Sequence, residues 1–234
     1  MISASDTITL PRVNDIRKTF AFNLSIQNFV DLKGGVRTIE IIGSTFIADE
    51  PTIFGAINED YVARELRWYE SQSLNVNDIP GETPAIWKKC ATPDGRINSN
   101  YGWMVFSAEN GYQYDNVLAE LIRDPSSRRA VMIYTRPTMH TDQSVDGMQD
   151  FCCTNVVQFF IRDDELQMHV SMRSNDAMFG YRNDYAWHKH VQGMLAADLG
   201  IKAGRVTWNA GSLHFYANQF WTVDAYSKTG NHVV

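Results

Sequence analysis

The stretch FCCTNVVQFFIR, residues 151–162, places a thiol where it can do chemistry. Val156, Val157, Phe159, Phe160 and Ile161 are β-branched or aromatic and suit a buried strand. Cys153 stands at the mouth of that strand, ahead of Thr154 and Asn155, so its sulfur can face a pocket rather than the core. A thiolate there is a nucleophile for covalent catalysis, although free cysteines are more often packed as small hydrophobes. A second informative stretch is RSNDAMFGYRNDYAW, residues 173–187. Arg173 beside Ser174 offers a fork of donors and a hydroxyl, which is what a phosphate needs. Gly180 lets a ligand approach the backbone. Asp184 falls in the first turn of a helix read over 182–199, where an aspartate is ordinarily a cap or dipole partner.

Further titratable groups sit at element boundaries. Glu65, among Tyr61, Leu66, Trp68 and Tyr69, is either on the wet face of a helix or deliberately buried. His214 and Tyr216 stand where a strand gives way to an aromatic-rich helical segment, a place where a lone histidine is more often structural. Arg128 and Arg129 are adjacent at a strand entrance, so they point to opposite faces and at most one joins any single site. Lys33 and Arg37 flank the turn at Gly34-Gly35, an ordinary position for solvated charges.

The elements that must position these groups alternate between strands and helices. Apolar spacing predicts a helix over 13–30, starting at Asn14 or Asp15, and a strand over 38–48 bent by a bulge at Gly43. Helices follow over 58–71, 83–89 and 113–123, the last stopped by Asp124-Pro125. Residues 91–102 are rich in turn formers and 138–150 read as a polar loop. Strands are expected over 130–134, from Cys153, over 165–174 as the return arm of a hairpin, and over 205–212, with a helix over 213–227.

Composition narrows the function classes. With 234 residues, 44% of them hydrophobic, the chain can bury one full core, and a single domain is expected. A net charge of −6 with no basic run gives no support to a nucleic-acid footprint. Three cysteines, two of them adjacent, make a poor disulfide framework and point to a reducing cytoplasm. The opening MISASDTITLPRVND lacks the basic and apolar regions of a signal peptide, and no apolar run approaches a bilayer span. No glycine-rich phosphate loop appears, and His188 and His190 are splayed rather than spaced as metal ligands.

Taken in order, Arg64 to Trp68 (RELRW), Ile86-Trp87, Tyr101-Gly102, Ser127-Arg128-Arg129, Cys153 ahead of Gln158, Arg173-Ser174-x-Asp176 with Gly180, and His214-x-Tyr216 resemble the thymidylate synthase family through most of the chain. The resemblance implies a homodimeric α/β (α+β) fold, a mixed sheet with flanking helices and one sheet face at the dimer interface. It implies Cys153 as nucleophile toward carbon 6 of a pyrimidine, its thiol pKa lowered by neighbouring arginines, with 5,10-methylenetetrahydrofolate as one-carbon donor and no metal. Cys152 should face away. Arg173 and Ser174 would hold the nucleotide phosphate, with Arg128 and Arg129 reaching in from the second subunit and Lys33 or Arg37 on the phosphate loop. Asn155 and Gln158 would join the nucleotide site, and His214 and Tyr216 would bind the deoxyribose. Tyr101 would lie near the cysteine, Glu65 would arrange water and protons, and Ile86, Trp87, Asp176, Phe179 and Gly180 would border the folate.

The base reader is expected at Asp184, where the family carries asparagine. Cytosine offers an amino donor and a bare N3, so a protonated carboxyl at Asp184 would accept from the amine and donate to N3. The resemblance thus implies transfer of one carbon to C5 of dCMP. Water addition would give hydroxymethyl and hydride transfer methyl, a choice that the sequence leaves open. The rivals are a dCMP methylase, ordinary dUMP methylation and a nucleotide-binding protein without turnover. Two departures stand out: Asn183 replaces the family's phenylalanine, and Cys152-Cys153-Thr154 replaces its proline-cysteine-histidine.

Overall fold

In the computed structural model, which describes residues 9–233, the sheet is built outward from a hairpin. β1 (Val30–Asp31), β2 (Arg37–Ile47), β3 (Val131–Ile133), β4 (Thr154–Arg162), β5 (Glu165–Asp176) and β6 (Lys202–Tyr216) form one six-stranded sheet in the order β1-β2-β6-β5-β4-β3. β4 and β5 pair antiparallel through a turn in which Asp163 and Asp164 take φ of 54° and 58°, the left-handed pair that a two-residue hairpin requires. β5 and β6 are parallel, joined by the crossover helix α7, so the sheet is mixed as expected. The opening stretch read for a targeting signal lies mostly outside the described residues.

The helices are α1 (Val13–Ser25), α2 (Glu59–Glu70), α3 (Ala85–Cys90), α4 (Tyr101–Phe106), α5 (Gln113–Arg123), α6 (Met139–Asp142), α7 (Gly180–Asp198) and α8 (Phe220–Thr229). Asn58 caps α2, its side-chain oxygen accepting from the Tyr61 amide at 2.9 Å. Trp68, Trp187, Trp208, Phe46, Phe159 and Phe215 are among the largest fully buried side chains of the core. Among the described residues no helix is long and apolar enough to cross a membrane.

Several boundaries differ from the sequence reading. The first helix stops at Ser25, and Val30 already belongs to β1. The polar loop contains the single turn α6, and a helix begins at Tyr101. β6 runs through to Tyr216 instead of stopping at Ser212, because Leu213 and Phe215 are wholly buried at strand spacing. His214 and Tyr216 are therefore strand residues. α7 begins at Gly180, which puts Asp184 in its second turn rather than its first.

A line of irregularity crosses the sheet. β6 buries Val206, Trp208 and Ala210 on one side of Gly211 and Leu213 and Phe215 on the other, a change of parity. β2 changes in step across Gly43, whose φ is 67°, so Ile42 pairs Ser212 and Ser44 pairs Ala210 without a shift of register. The one-sided bulge expected at Gly43 is thus a matched change in two strands. β4 carries a bulge between Thr154 and Val156, and β5 turns Asn175 inward beyond Met172. This parity change re-aims the ends of β4, β5 and β6. A Cβ on Gly211 would meet the Arg173 carbonyl oxygen at 2.9 Å, so the close approach needs glycine.

Gly102 has the tightest surroundings of any glycine. A Cβ there would overlap the carbonyl of Tyr69, and this contact lets Tyr101 stack on Tyr69 with ring centroids 5.3 Å apart. Gly102→Ala is expected to destabilise the fold by about 3 kcal/mol or more through overpacking. A thermal unfolding curve with an unshifted midpoint would show that α2 and α4 can separate freely.

Candidate active site

A cavity of about 480 Å³ opens where α2, α3 and the start of α7 meet the ends of β5 and β6. Cys153 lines it just ahead of β4. Arg173 from β5 lies beside the thiol, with Nη2 at 3.8 Å from Sγ. The same guanidinium donates to the carbonyls of Phe151 at 2.7 Å and Cys152 at 2.9 Å and covers the Phe151 ring. Arg173 thus staples the segment that carries Cys153. Cys152 faces away, buried and donating to the Thr154 carbonyl.

The expected lowering of the thiol pKa does not occur in the chain alone. Burial pushes Cys153 up to about 12, Asp184 adds to the rise, and Arg173 opposes them only partly. A single arginine does not outweigh desolvation of a thiolate here. Any attack by this sulfur is therefore coupled to loss of its proton.

Asp184 lines the same cavity as the thiol, half-buried. Its Oδ2 accepts from the Asn175 amide at 2.8 Å and its Oδ1 from the Tyr101 hydroxyl at 3.2 Å. Burial, then the Glu65 charge, pushes its carboxyl up to about 8, against the lowering effect of those two donors. Gly180 makes the placement possible, since a Cβ there would press on Asn175 Nδ2 and Asp176 Cβ at 3.3 Å.

On the other wall Glu65 is 5% exposed. Its Oε1 accepts from the Tyr61 hydroxyl at 2.5 Å and from Trp87 Nε1 at 3.1 Å. Burial raises its pKa and these donors oppose the rise. Glu65 is thus the deliberately buried carboxylate of the two alternatives. Ile86 and Phe179 stand at the mouth, 60% and 45% exposed, beside Trp87. Ser174, Asp176, His214 and Tyr216 complete the floor, the last two with rings 5.1 Å apart. Burial lowers the His214 pKa and raises that of Asp176.

Other expected site residues lie elsewhere in the chain. Gln158 is on the outer face of the sheet, donating to the Arg128 carbonyl at 2.7 Å, and Asn155 does not line the cavity. Arg128 and Arg129 are exposed, with Arg129 held by Glu120 at 3.0 Å. Arg37 pairs with Asp31 at 2.7 Å on the exposed turn that also carries Lys33. Asn155, Gln158, Lys33 and Arg37 thus lie outside this cavity, turned away by strand alternation or by their place at the sheet edge, while Arg128 and Arg129, expected at the site of a second subunit, point away from their own.

Residues not singled out as site groups also matter. Asn175 supports Asp184, and its only signal was its place within MRSND. Asp150 is buried at the cavity wall and accepts from the amides of Asn98 at 2.7 Å and Ser99 at 2.8 Å and from the Ser99 hydroxyl. That pairing spans too much sequence to be read locally. Among the described residues no group of three His, Cys, Asp or Glu side chains is arranged to hold a metal ion.

A pocket joining a strand-mouth cysteine to a phosphate-suited Arg-Ser pair and a buried carboxyl places the protein in a defined class. The thymidylate synthase family model matches residues 55–229, and the chain belongs to that family. It is 54% identical over 233 residues to the deoxycytidylate 5-hydroxymethyltransferase of Enterobacteria phage T4, covering 97% of this chain and 94% of the relative. The phage T6 protein of the same name is 53% identical over 238 residues, covering 98% and 96%. Thermostable thymidylate synthase A from Bacillus subtilis shares the fold with a TM-score of 0.68 at 23% identity, over 91% of this chain and 84% of that one.

Proposed function

We propose that this protein transfers a one-carbon unit from 5,10-methylenetetrahydrofolate to C5 of dCMP and finishes it with water, giving 5-hydroxymethyl-dCMP for modified phage DNA precursors. The observation that carries the reading is Asp184, a half-buried carboxyl with its pKa pushed up to about 8. At neutral pH it holds a proton, so it donates to the bare N3 of cytosine and accepts from the 4-amino group. The buried Asn183 Oδ1, which has no hydrogen-bond partner, is a further acceptor suited to that amino group. The names of the phage relatives point to the same substrate.

Cys153 Sγ adds to C6 of the ring as its proton passes through cavity water toward the Glu65 carboxylate, and the displaced electron pair makes C5 nucleophilic. Arg173 and Ser174 take the phosphate, and His214 and Tyr216 the deoxyribose. The aromatic and apolar mouth formed by Ile86, Trp87 and Phe179, with Asp176 and Gly180 behind it, fits a flat pterin ring. Methylenetetrahydrofolate bound there would supply the carbon as co-substrate. Glu65, held by Tyr61 and Trp87, orients water and moves protons at the ring. The whole chain serves as one catalytic domain.

The active assembly is a homodimer. Gln158, Phe160, Gln167, His169 and Thr207 line the outer side of the sheet, a face suited to a second copy. Arg128 and Arg129, turned out of their own cavity, then complete the phosphate site of the other subunit. The protein would work in the cytoplasm of a bacterial host.

The test is to supply methylenetetrahydrofolate with either dCMP or dUMP and weigh the nucleotide product. Hydroxymethyl-dCMP without dihydrofolate is expected. Methyl-dCMP with dihydrofolate would move the protein to the methylase reaction, and product from dUMP alone would overturn Asp184 as base reader. No product from either would leave a nucleotide-binding protein.

A further inference from the structure

Asp184 does not meet Tyr101 in isolation. Thr154, the residue after the nucleophile, is fully buried, and its Oγ1 lies 3.1 Å from Tyr101 Oη, which lies 3.2 Å from Asp184 Oδ1. His188, one turn beyond Asp184 on the same face of α7, places Nε2 3.3 Å from that Thr154 oxygen. The two α7 side chains are thus bridged by Thr154 and Tyr101. The His188 ring is 1% exposed, lies parallel to Tyr101 and meets Tyr134 and Trp208 edge to face. Burial pushes its pKa down to about 3, so it is neutral and carries one ring proton.

The position of that proton sets the direction of the whole chain. His188 Nδ1 has no partner. With the proton on Nε2, the defect is an unpaired lone pair; with the proton on Nδ1, it is a buried unpaired N–H, the rarer fault in folded proteins. The geometry therefore assigns the Nε2–H tautomer, which donates to Thr154. The Thr154 proton has Tyr101 Oη and the Met172 sulfur at 3.2 Å within reach, and the phenol oxygen is the stronger acceptor. Tyr101 then donates to Asp184 Oδ1.

We infer that His188 and Thr154 are positioning residues that commit the Tyr101 hydroxyl to donate toward Asp184, so that the carboxyl's own proton is kept for the pyrimidine. In the opposite polarity Asp184 donates to Tyr101 and shows the base only acceptors, an edge suited to a ring with N3–H. Base preference is thereby set two residues behind the group that touches the base. Thr154 stands where the family pattern carries histidine. The inference rests on the proposed dCMP reaction.

The test compares kcat/KM for dCMP and dUMP in four variants of the full-length protein. Thr154→Val keeps the volume and removes the hydroxyl; the dCMP-to-dUMP ratio is expected to fall about tenfold, the worth of one hydrogen bond. His188→Phe should lower the same ratio. Thr154→Ser, and His188→Gln with its amide donor near the position of Nε2, should retain the wild-type ratio. A purely structural role would lower both substrates together and leave the ratio unmoved, and that result in both Thr154→Val and His188→Phe would overturn the inference. Loss of the ratio in Thr154→Ser equal to that in Thr154→Val would overturn it as well. A wild-type protein that does not prefer dCMP would refute the functional reading and this inference together, whereas normal preference with insensitive variants would refute this inference alone.

Discussion

Cys153→Ser is expected to abolish product formation, by about 10⁴-fold or more, while dCMP still binds with near wild-type affinity. The serine oxygen is a far weaker nucleophile than sulfur, and its hydroxyl gives up a proton far less readily than the thiol. Binding should survive because the groups assigned to the nucleotide do not depend on the sulfur. Arg173 keeps its bonds to the Phe151 and Cys152 carbonyls, and Asp184 keeps Asn175 and Tyr101. Product measured by mass and affinity measured by calorimetry on the same preparation separate the two effects. Residual turnover within tenfold of wild type would rule out covalent attack by this residue. Loss of binding together with turnover would instead make Cys153 part of the nucleotide cradle.

The second large effect is expected at Asp184. Asp184→Asn preserves shape but keeps an acceptor for only one of the two donors, Tyr101 and Asn175, and replaces a proton-sharing carboxyl with an amide. An amide oxygen accepts from the N3–H of uracil and its NH2 donates to the 4-oxo group, the reverse of the cytosine pattern. Preference for dCMP over dUMP should fall by about 10⁴-fold, the scale on which a site built for one hydrogen-bond pattern rejects the other. The wild-type pH profile supplies a matching sign. The Asp184 carboxyl is raised to about 8, so the proton offered to N3 is present below that pH and lost above it. Affinity for dCMP should hold up to about pH 8 and then weaken, and the asparagine variant should lack this limb. An unchanged base preference in Asp184→Asn, or a wild-type profile flat across pH 8, would remove Asp184 from base reading.

Much of the architecture is legible along the chain because it is local. The hairpin at Arg162 to Glu165 follows from polar turn residues between two runs of strand formers, and α2 follows from its apolar spacing and the Asn58 cap. The cavity thiol of Cys153 is legible too, since a cysteine ahead of a strand has few ways to point. His214 and Tyr216 were misplaced onto a helix boundary because aromatic residues fit either element, and only burial of Leu213 and Phe215 beneath other parts of the chain extends β6 through them.

The sequence by itself determined the family motifs, the order of strands and helices, and the chemical types available for a pyrimidine nucleotide: one thiol, one Arg-Ser pair and two carboxyls. Only the tertiary structure decided the state in which those groups work. Glu65 is read as either wet or buried and Asp184 as a cap or dipole partner from local pattern; the fold buries Glu65 and sets Asp184 half-buried in the cavity wall, and desolvation by distant segments lifts both carboxyl pKa values. The same desolvation lifts Cys153 against the pull of Arg173, reversing the expected direction. Arg128, Arg129, Lys33 and Arg37 remain outside the cavity because strand alternation and edge position, not residue type, fix where a side chain points. Burial and orientation depend on contacts between residues far apart in the chain, and a one-dimensional reading does not carry that information.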